Sequence, residues 1–218
     1  AAPVIFNAPN KVFGAMGGFM MSEYNGDLTG NGFLFREIRI IAGLICGGMS
    51  PREAEERAIK DNMFQYPTER SLRKTANCCQ RRLAALGSER LAGIIAGGAI
   101  TEAKQVNLYA IMKENRLVRE FMISVIGEKY RTRDGDFSKR DINAFFFDLR
   151  RQDERVARWS DSTVTKIGQV LMKMLAECEY VDSVRSEKLN PVYLYPALEE
   201  ALRDESDTSA MPAFNYIL

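Results

Sequence analysis

A chain of 218 residues with 46 % apolar content can bury one large core or two small ones, and it is too apolar to be disordered by composition. Thirty basic residues against 29 acidic ones leave a net charge of +1, so any electrostatic function must come from local concentration of charge. The chain has no histidine, which excludes Ser-His-Asp and Cys-His nucleophiles, imidazole zinc sites and histidine general bases.

Nine of the 16 glycines fall in the first 48 residues, so residues 1–32 are expected to form a loosely ordered N-terminal segment. Val4-Ile5-Phe6 is a candidate short strand there, and Asn25-Gly26 and residues 29–32 carry turn chemistry. Leu34, Ile38, Ile41 and Ile45 then follow helical spacing that ends at Gly47-Gly48. Ser50-Pro51-Arg52-Glu53 is a capping box with proline at the first helical position, opening a helix to about Asp61. Phe64 and Tyr66 lie in the loop that follows, where aromatic plugs over the core outweigh base stacking as a reading.

Residues 68–86 read as one helix with two faces. Leu72, Ala76, Cys79, Leu83 and Leu86 repeat at helical spacing and form an apolar stripe. Arg70, Arg73, Lys74, Asn77 and Arg81 lie opposite it, with Arg82 on the flank. The five basic residues between 70 and 82 have no acidic residue among them. Such a face suits the dense negative charge of a nucleic-acid backbone, although from charge alone a solvated helix face is the favoured reading.

Further helices are expected over 88–95 and 101–113, around a break at Gly97-Gly98. The pattern continues from Leu117 to Tyr130 and is followed by a polar turn over 131–135. Ser138 can cap a helix over 139–151, whose Phe145-Phe146-Phe147 run must bury at least two rings. From 129 to 158 there are nine basic residues against six acidic ones, whereas 199–207 holds five acids and one arginine.

Trp159, the single tryptophan, precedes Ser160-Asp161-Ser162-Thr163, whose side-chain oxygens can cap a helix. That helix buries Val164, Ile167, Leu171, Leu175 and Cys178. With Arg158 just ahead of it, it displays Ser162, Thr165, Lys166, Gln169 and Lys173, a candidate phosphate cradle. Residues 180–182 and 192–195 can form a short β-ribbon, which would give a winged helix-turn-helix; an ordinary helical subdomain with Trp159 as its anchor is the competing reading.

The class is therefore all-α, a compact multi-helix bundle with a short C-terminal β-ribbon as a candidate addition. The expected organisation is a loose segment over 1–32, a helical DNA-binding domain over 33–205 with a candidate subdomain break near 131–137, and a tail over 206–218.

The chemistry of catalysis is absent from the pattern. Gly30-Asn31-Gly32 lacks a third glycine at fingerprint spacing, and no Walker-type loop occurs. Asp134 and Asp136 around Gly135 read as a turn, and Glu102-Ala103-Lys104 has no strand to present it. Cys78 and Cys79 point about 100° apart on a helix and cannot share a metal as a C-x-x-C pair does; with Cys46 and Cys178 they read as reduced, buried thiols. No catalytic, cofactor-binding or metal-binding residue is assigned, and no cofactor is expected. No segment is long and apolar enough to span a bilayer, and no secretory layout is seen, so a cytoplasmic protein with no membrane contact is expected.

Several segments together resemble the BrxA family, the small component of BREX bacteriophage-exclusion systems. They are Phe33-Leu34-Phe35-Arg36-Glu37, Ser50-Pro51-Arg52-Glu53-Ala54 and Asn62-Met63-Phe64-Gln65-Tyr66-Pro67. Leu108-Tyr109-Ala110-Ile111, Arg116-Leu117, Val118-Arg119-Glu120-Phe121 and Trp159-Ser160-Asp161-Ser162-Thr163 follow in the same order. The resemblance covers roughly residues 24–200; no single motif is diagnostic, and their order carries the match. It implies a compact helical protein similar to NusB-type antitermination proteins, without a catalytic centre, that binds double-stranded DNA. It also implies a place in phage defence beside a methyltransferase, a phosphatase-like protein and an ATPase. An assembly adaptor of the defence complex and a winged-helix regulator of its operon are the alternatives. The resemblance marks no DNA-contacting residue, so Arg70, Arg73, Lys74, Asn77, Arg81, Arg82, Arg158, Ser162, Lys166, Gln169 and Lys173 rest on the residue pattern alone.

Overall fold

The computed structural model describes residues 23–24, 26–30 and 32–216. Among them are eleven α-helices and no strand. The candidate strand at Val4-Ile5-Phe6 lies outside the described residues.

Local chemistry accounts for most helix limits. α1 (Phe35–Cys46) starts after Leu34 in a left-handed conformation, with no side-chain cap. α2 (Pro51–Lys60) has the complete capping box of Ser50 and Glu53. α3 (Glu69–Leu86) begins where Thr68 Oγ1 accepts from the Ser71 amide, and it ends at Gly87, whose φ of 66° favours glycine. Phe64 is buried between α2 and α3, and Tyr66 donates to Glu37 Oε1 at 3.1 Å, so both rings of that loop pack inward or onto α1.

α4 (Glu89–Gly97) is capped by Ser88 and packs on α1. α5 (Ile100–Glu114) is the central element: Ala103 and every residue from Gln105 to Met112 are buried. A helix covered on all sides cannot show a two-faced pattern, and this one does not. α6 (Arg116–Phe121) runs into a π-helical turn, Met122–Gly127, and then α7 (Glu128–Thr132). That turn packs on a 3₁₀ segment, Thr208–Phe214, so closely that a Cβ on Gly127 would lie 3.0 Å from Pro212.

α8 (Lys139–Gln152) has a second capping box, Ser138 with Asp141. Of its three consecutive phenylalanines, Phe146 is buried, Phe145 is half-buried against Phe121, and Phe147 faces outward. α9 (Glu154–Ala157) leads through Trp159, which is half-buried against the core, into α10 (Asp161–Glu177). α11 (Pro196–Asp204) precedes the final 3₁₀ segment.

Three sequence expectations are corrected. Residues 180–182 and 192–195 do not pair as a ribbon. The extended stretch is held instead by α5, where Gln105 donates to the Tyr193 carbonyl at 3.0 Å and accepts from the Tyr195 amide at 2.8 Å. The one bridge among the described residues joins Asp136 to Lys188. Residues 206–216 are not a tail, because Ala210, Met211, Ala213 and Phe214 are buried and Arg119 grips Asp207. Of the segment expected to be loose, residues 1–22, 25 and 31 lie outside the described residues, and at its end Tyr24 and Leu28 enter the core. One hydrophobic cluster takes in residues on both sides of 131–137.

Candidate nucleic-acid interface

α3 packs on α1, α2 and α5, and this wide contact buries more of the helix than its apolar stripe alone. Leu72, Ala76, Cys79, Leu83 and Leu86 are inside as expected, joined by Thr75, Cys78 and Arg82. Arg70, Arg73, Lys74, Asn77 and Arg81 remain on the outside.

The outward face is less bare than the sequence window implies. Arg73 pairs with Glu69 at 2.6 Å, one turn earlier. Arg81 reaches Glu114 at 2.8 Å and donates to Asn77 Oδ1 at 2.9 Å. Arg70 and Lys74 have no ion-pair partner among the described residues. Exposed ion pairs contribute only about 0–1 kcal/mol, so Arg73 can exchange its carboxylate for a phosphate at little cost, whereas the Glu114 partner of Arg81 is mostly covered.

Arg82 is the correction at this site. Only 1 % of its side chain is exposed, with Nη2 donating to the Gly32 carbonyl at 2.9 Å and Nη1 to the Phe33 carbonyl at 3.1 Å. Its Nε meets Glu114 at 3.3 Å. The guanidinium satisfies backbone carbonyls where the chain enters α1, and it cannot reach a phosphate.

The second predicted group lies at the start of α10. Ser160 Oγ accepts from the Thr163 amide at 3.2 Å and contacts the Ser162 and Thr163 hydroxyls at 2.9 Å, so one amide of this terminus is already capped. Ser162, Thr165, Lys166, Gln169 and Lys173 are exposed, as is Arg158, which lies 3.6 Å from Glu154. Lys173 approaches Glu177 only to 3.9 Å, and Lys166 has no ion-pair partner among the described residues.

A short 3₁₀ turn, Asp27–Gly30, connects the two groups. A Cβ on Gly30 would fall 2.1 Å from Lys74 Nζ, so the Lys74 ammonium lies against one end of the turn. A Cβ on Gly26 would fall 3.9 Å from Thr163 Cγ2 in the first turn of α10, so the other end rests there. Four residues of 3₁₀ rise span roughly 8 Å, which makes these parts of α3 and α10 neighbours. Sequence reasoning could not find this, because the link runs through residues 26–30 and has no periodic signal.

Burial pushes the Cys78 and Cys79 thiols up from their ordinary pKa, and all four cysteines are free. No group of three or more Cys, Asp or Glu side chains among the described residues could hold a metal ion. No helix among them is long and apolar enough to cross a membrane.

The arrangement is that of a compact all-α protein whose basic side chains are displayed on helix exteriors. The chain belongs to the BrxA family, whose family model matches residues 22–206. A BREX protein BrxA of Bacillus cereus (strain H3081.97) is 33 % identical over 165 residues, covering 76 % of this chain and 82 % of that one. A BREX protein BrxA of Escherichia coli O9:H4 (strain HS) is 29 % identical over 178 residues, covering 82 % and 83 % respectively. The crystal structure of an uncharacterized protein from Magnetospirillum magneticum has the same fold, with a TM-score of 0.74 at 21 % identity over 88 % of this chain and 98 % of that one.

Proposed function

We propose that this chain is a non-enzymatic, double-stranded DNA-binding accessory of a BREX phage-defence system, acting in the cytoplasm. The reading rests on one arrangement: the outward face of α3, carrying Arg70, Arg73, Lys74, Asn77 and Arg81, adjoins the start of α10 through the 26–30 turn. Lys166, Lys173, Gln169, Ser162 and Arg158, all exposed on α10 or just before it, are proposed to belong to the same surface. The name carried by its relatives, BREX protein BrxA, supports the defence context, in which the methyltransferase, phosphatase-like protein and ATPase are the proposed partners. Backbone contacts of this kind position a protein on DNA without reading sequence, so binding through this face is weak, sequence-tolerant and steeply salt-dependent.

A titration of random duplex against salt tests the reading. Each phosphate contact contributes about 0.9 to the slope of log K against log [salt]. Arg73→Ala with Lys74→Ala is expected to lower that slope by nearly two, roughly 1.8, with little loss of stability. An unchanged slope in that variant and in Lys166→Ala/Lys173→Ala would overturn the assignment of the surface.

The second reading, an assembly adaptor, is favoured by a different surface. Ile100 and Tyr193 are 60 % and 77 % exposed, on α5 and on the 193–195 stretch that Gln105 and Thr101 hold against it. Loss of partner capture in Ile100→Asp/Tyr193→Asp, with DNA binding intact, would support it.

A further inference from the structure

α8 has an outward face that belongs to neither basic group above. Its buried stripe is Ile142, Phe146 and Leu149. At about 100° per residue, Arg140, Ala144, Phe147 and Arg151 fall within an arc of roughly 60° opposite that stripe, with Asn143 on its shoulder. All five are exposed. Phe147 is 65 % exposed even though both neighbouring rings turn inward, and Arg151 stands over it with Cζ 5.9 Å from the ring centroid. Neither Arg140 nor Arg151 is ion-paired among the described residues. The acidic residue on this side, Asp148, sits at the edge of the arc.

The chemistry of this face differs from that of α3. An arginine pairs with guanine O6 and N7, an asparagine with adenine N6 and N7, and a phenylalanine packs on the thymine methyl group. All three types occur here on one helix of ordinary width. A helix about 10–12 Å across enters a major groove about 12 Å wide and is excluded from a minor groove of about 6 Å. Arg140 and Arg151 are roughly 16 Å apart along the axis, so they bracket Phe147. The end of this helix also lies beside the proposed DNA surface. Arg150 Nη2 donates to Asp161 Oδ1 at 2.9 Å and to the Trp159 carbonyl at 2.7 Å, fixing the end of α8 beside the start of α10.

We propose that α8 is a base-reading helix, with Arg140, Asn143 and Phe147 facing base edges in the major groove and Arg151 holding the adjoining backbone. This rests on the DNA-binding reading above and adds to it a sequence preference, which the phosphate contacts of α3 cannot supply.

The test uses the full chain. Selection from a randomised duplex pool is followed by anisotropy titration of the selected and a random duplex at two salt concentrations. The wild type is expected to enrich a short preferred site. Asn143→Ala and Phe147→Gln are each expected to lower affinity for that site roughly tenfold, with affinity for random duplex changing less than about twofold. Their melting temperatures should match the wild type because both side chains are exposed, and Phe147→Leu should keep part of the preference. Enrichment of no sequence by a wild type that binds random duplex would overturn the proposal and leave the DNA-binding reading intact. Equal effects on selected and random duplex, or no effect on either, would also overturn it; unaltered DNA binding with lost capture of a BREX protein would reassign α8 to a protein partner. A wild type that binds no duplex at all would overturn the underlying reading itself.

Discussion

Arg82→Ala separates a structural guanidinium from a DNA-binding one. The side chain donates to the Gly32 and Phe33 carbonyls and to Glu114, and it is almost wholly buried. Removing one member of a buried charge pair costs about 3–5 kcal/mol when its partners are left stranded. Two of these partners keep other company: the Phe33 carbonyl still accepts from Asn107 Nδ2 at 2.8 Å, and Glu114 still meets Arg81 at 2.8 Å. The Glu114 side chain is also 19 % exposed, so water screens part of its loss. These discounts lower the expected penalty to about 2–4 kcal/mol. At about 2–4 °C per kcal/mol for a chain of this size, the melting temperature should fall by roughly 5–15 °C. Arg82→Lys should recover little, since an ammonium cannot fork across two carbonyls and a carboxylate. Thermal melts by circular dichroism give the first readout, and the salt slope of duplex binding by the folded fraction gives the second. The slope should not move. An unchanged melting temperature with a slope reduced by about 0.9 would refute the reasoning and return Arg82 to the DNA surface.

Gly127→Ala places a methyl group 3.0 Å from both the carbonyl carbon and Cβ of Pro212, so it should destabilise by about 1–3 kcal/mol despite the better helix propensity of alanine; a melt equal to or above the wild type would show that the contact relaxes freely. Burial raises the Cys78 and Cys79 thiols, with Cys46 and Cys178 shifted the same way. For such groups the stabilisation is complete below the unfolded thiol pKa of about 8.5 and is lost as pH rises toward the folded value. Urea unfolding free energies should therefore fall between pH 8 and 10, with Cys79→Ala shallower by roughly 1 kcal/mol per pH unit averaged over that range, and a flat wild-type profile would contradict the burial of these thiols.

Helices with a polar outer face were legible because their spacing, caps and stops are written in adjacent residues. α2 follows from Ser50, Pro51 and Glu53, and α3 from its apolar stripe. The candidate site was legible only in part. A window from 70 to 82 contains the basic residues but neither Glu69 nor Glu114, whose carboxylates meet Arg73, Arg81 and Arg82. Helical spacing also placed Arg82 on a flank, and a flank can turn inward or outward. The flank turned inward because the 32–33 backbone, remote in sequence, leaves two carbonyls there that need donors.

The same logic explains why the segments without regular structure were misread. α5 carries three buried polar side chains, and each one holds a different non-helical stretch. Asn107 binds the Phe33 carbonyl at the start of α1, and Gln105 binds the 193–195 backbone. Tyr109 donates to Asp207 at 3.0 Å ahead of the last 3₁₀ segment. In a sequence these residues look like solvated positions interrupting an apolar helix. In the fold Asn107 and Gln105 substitute for the strand or helix partners that the Phe33 and 193–195 backbone lacks, since buried backbone groups require partners from somewhere, and Tyr109 holds its stretch through the Asp207 carboxylate. The ribbon expected at 192–195 was unnecessary because Gln105 already supplies a donor and an acceptor. Residues 206–216 pack for a related reason. Arg119 and Lys113 meet Asp207 and Glu205, so the acidic run ending at Asp207 closes onto the core and leaves the basic faces of α3, α8 and α10 directed outward.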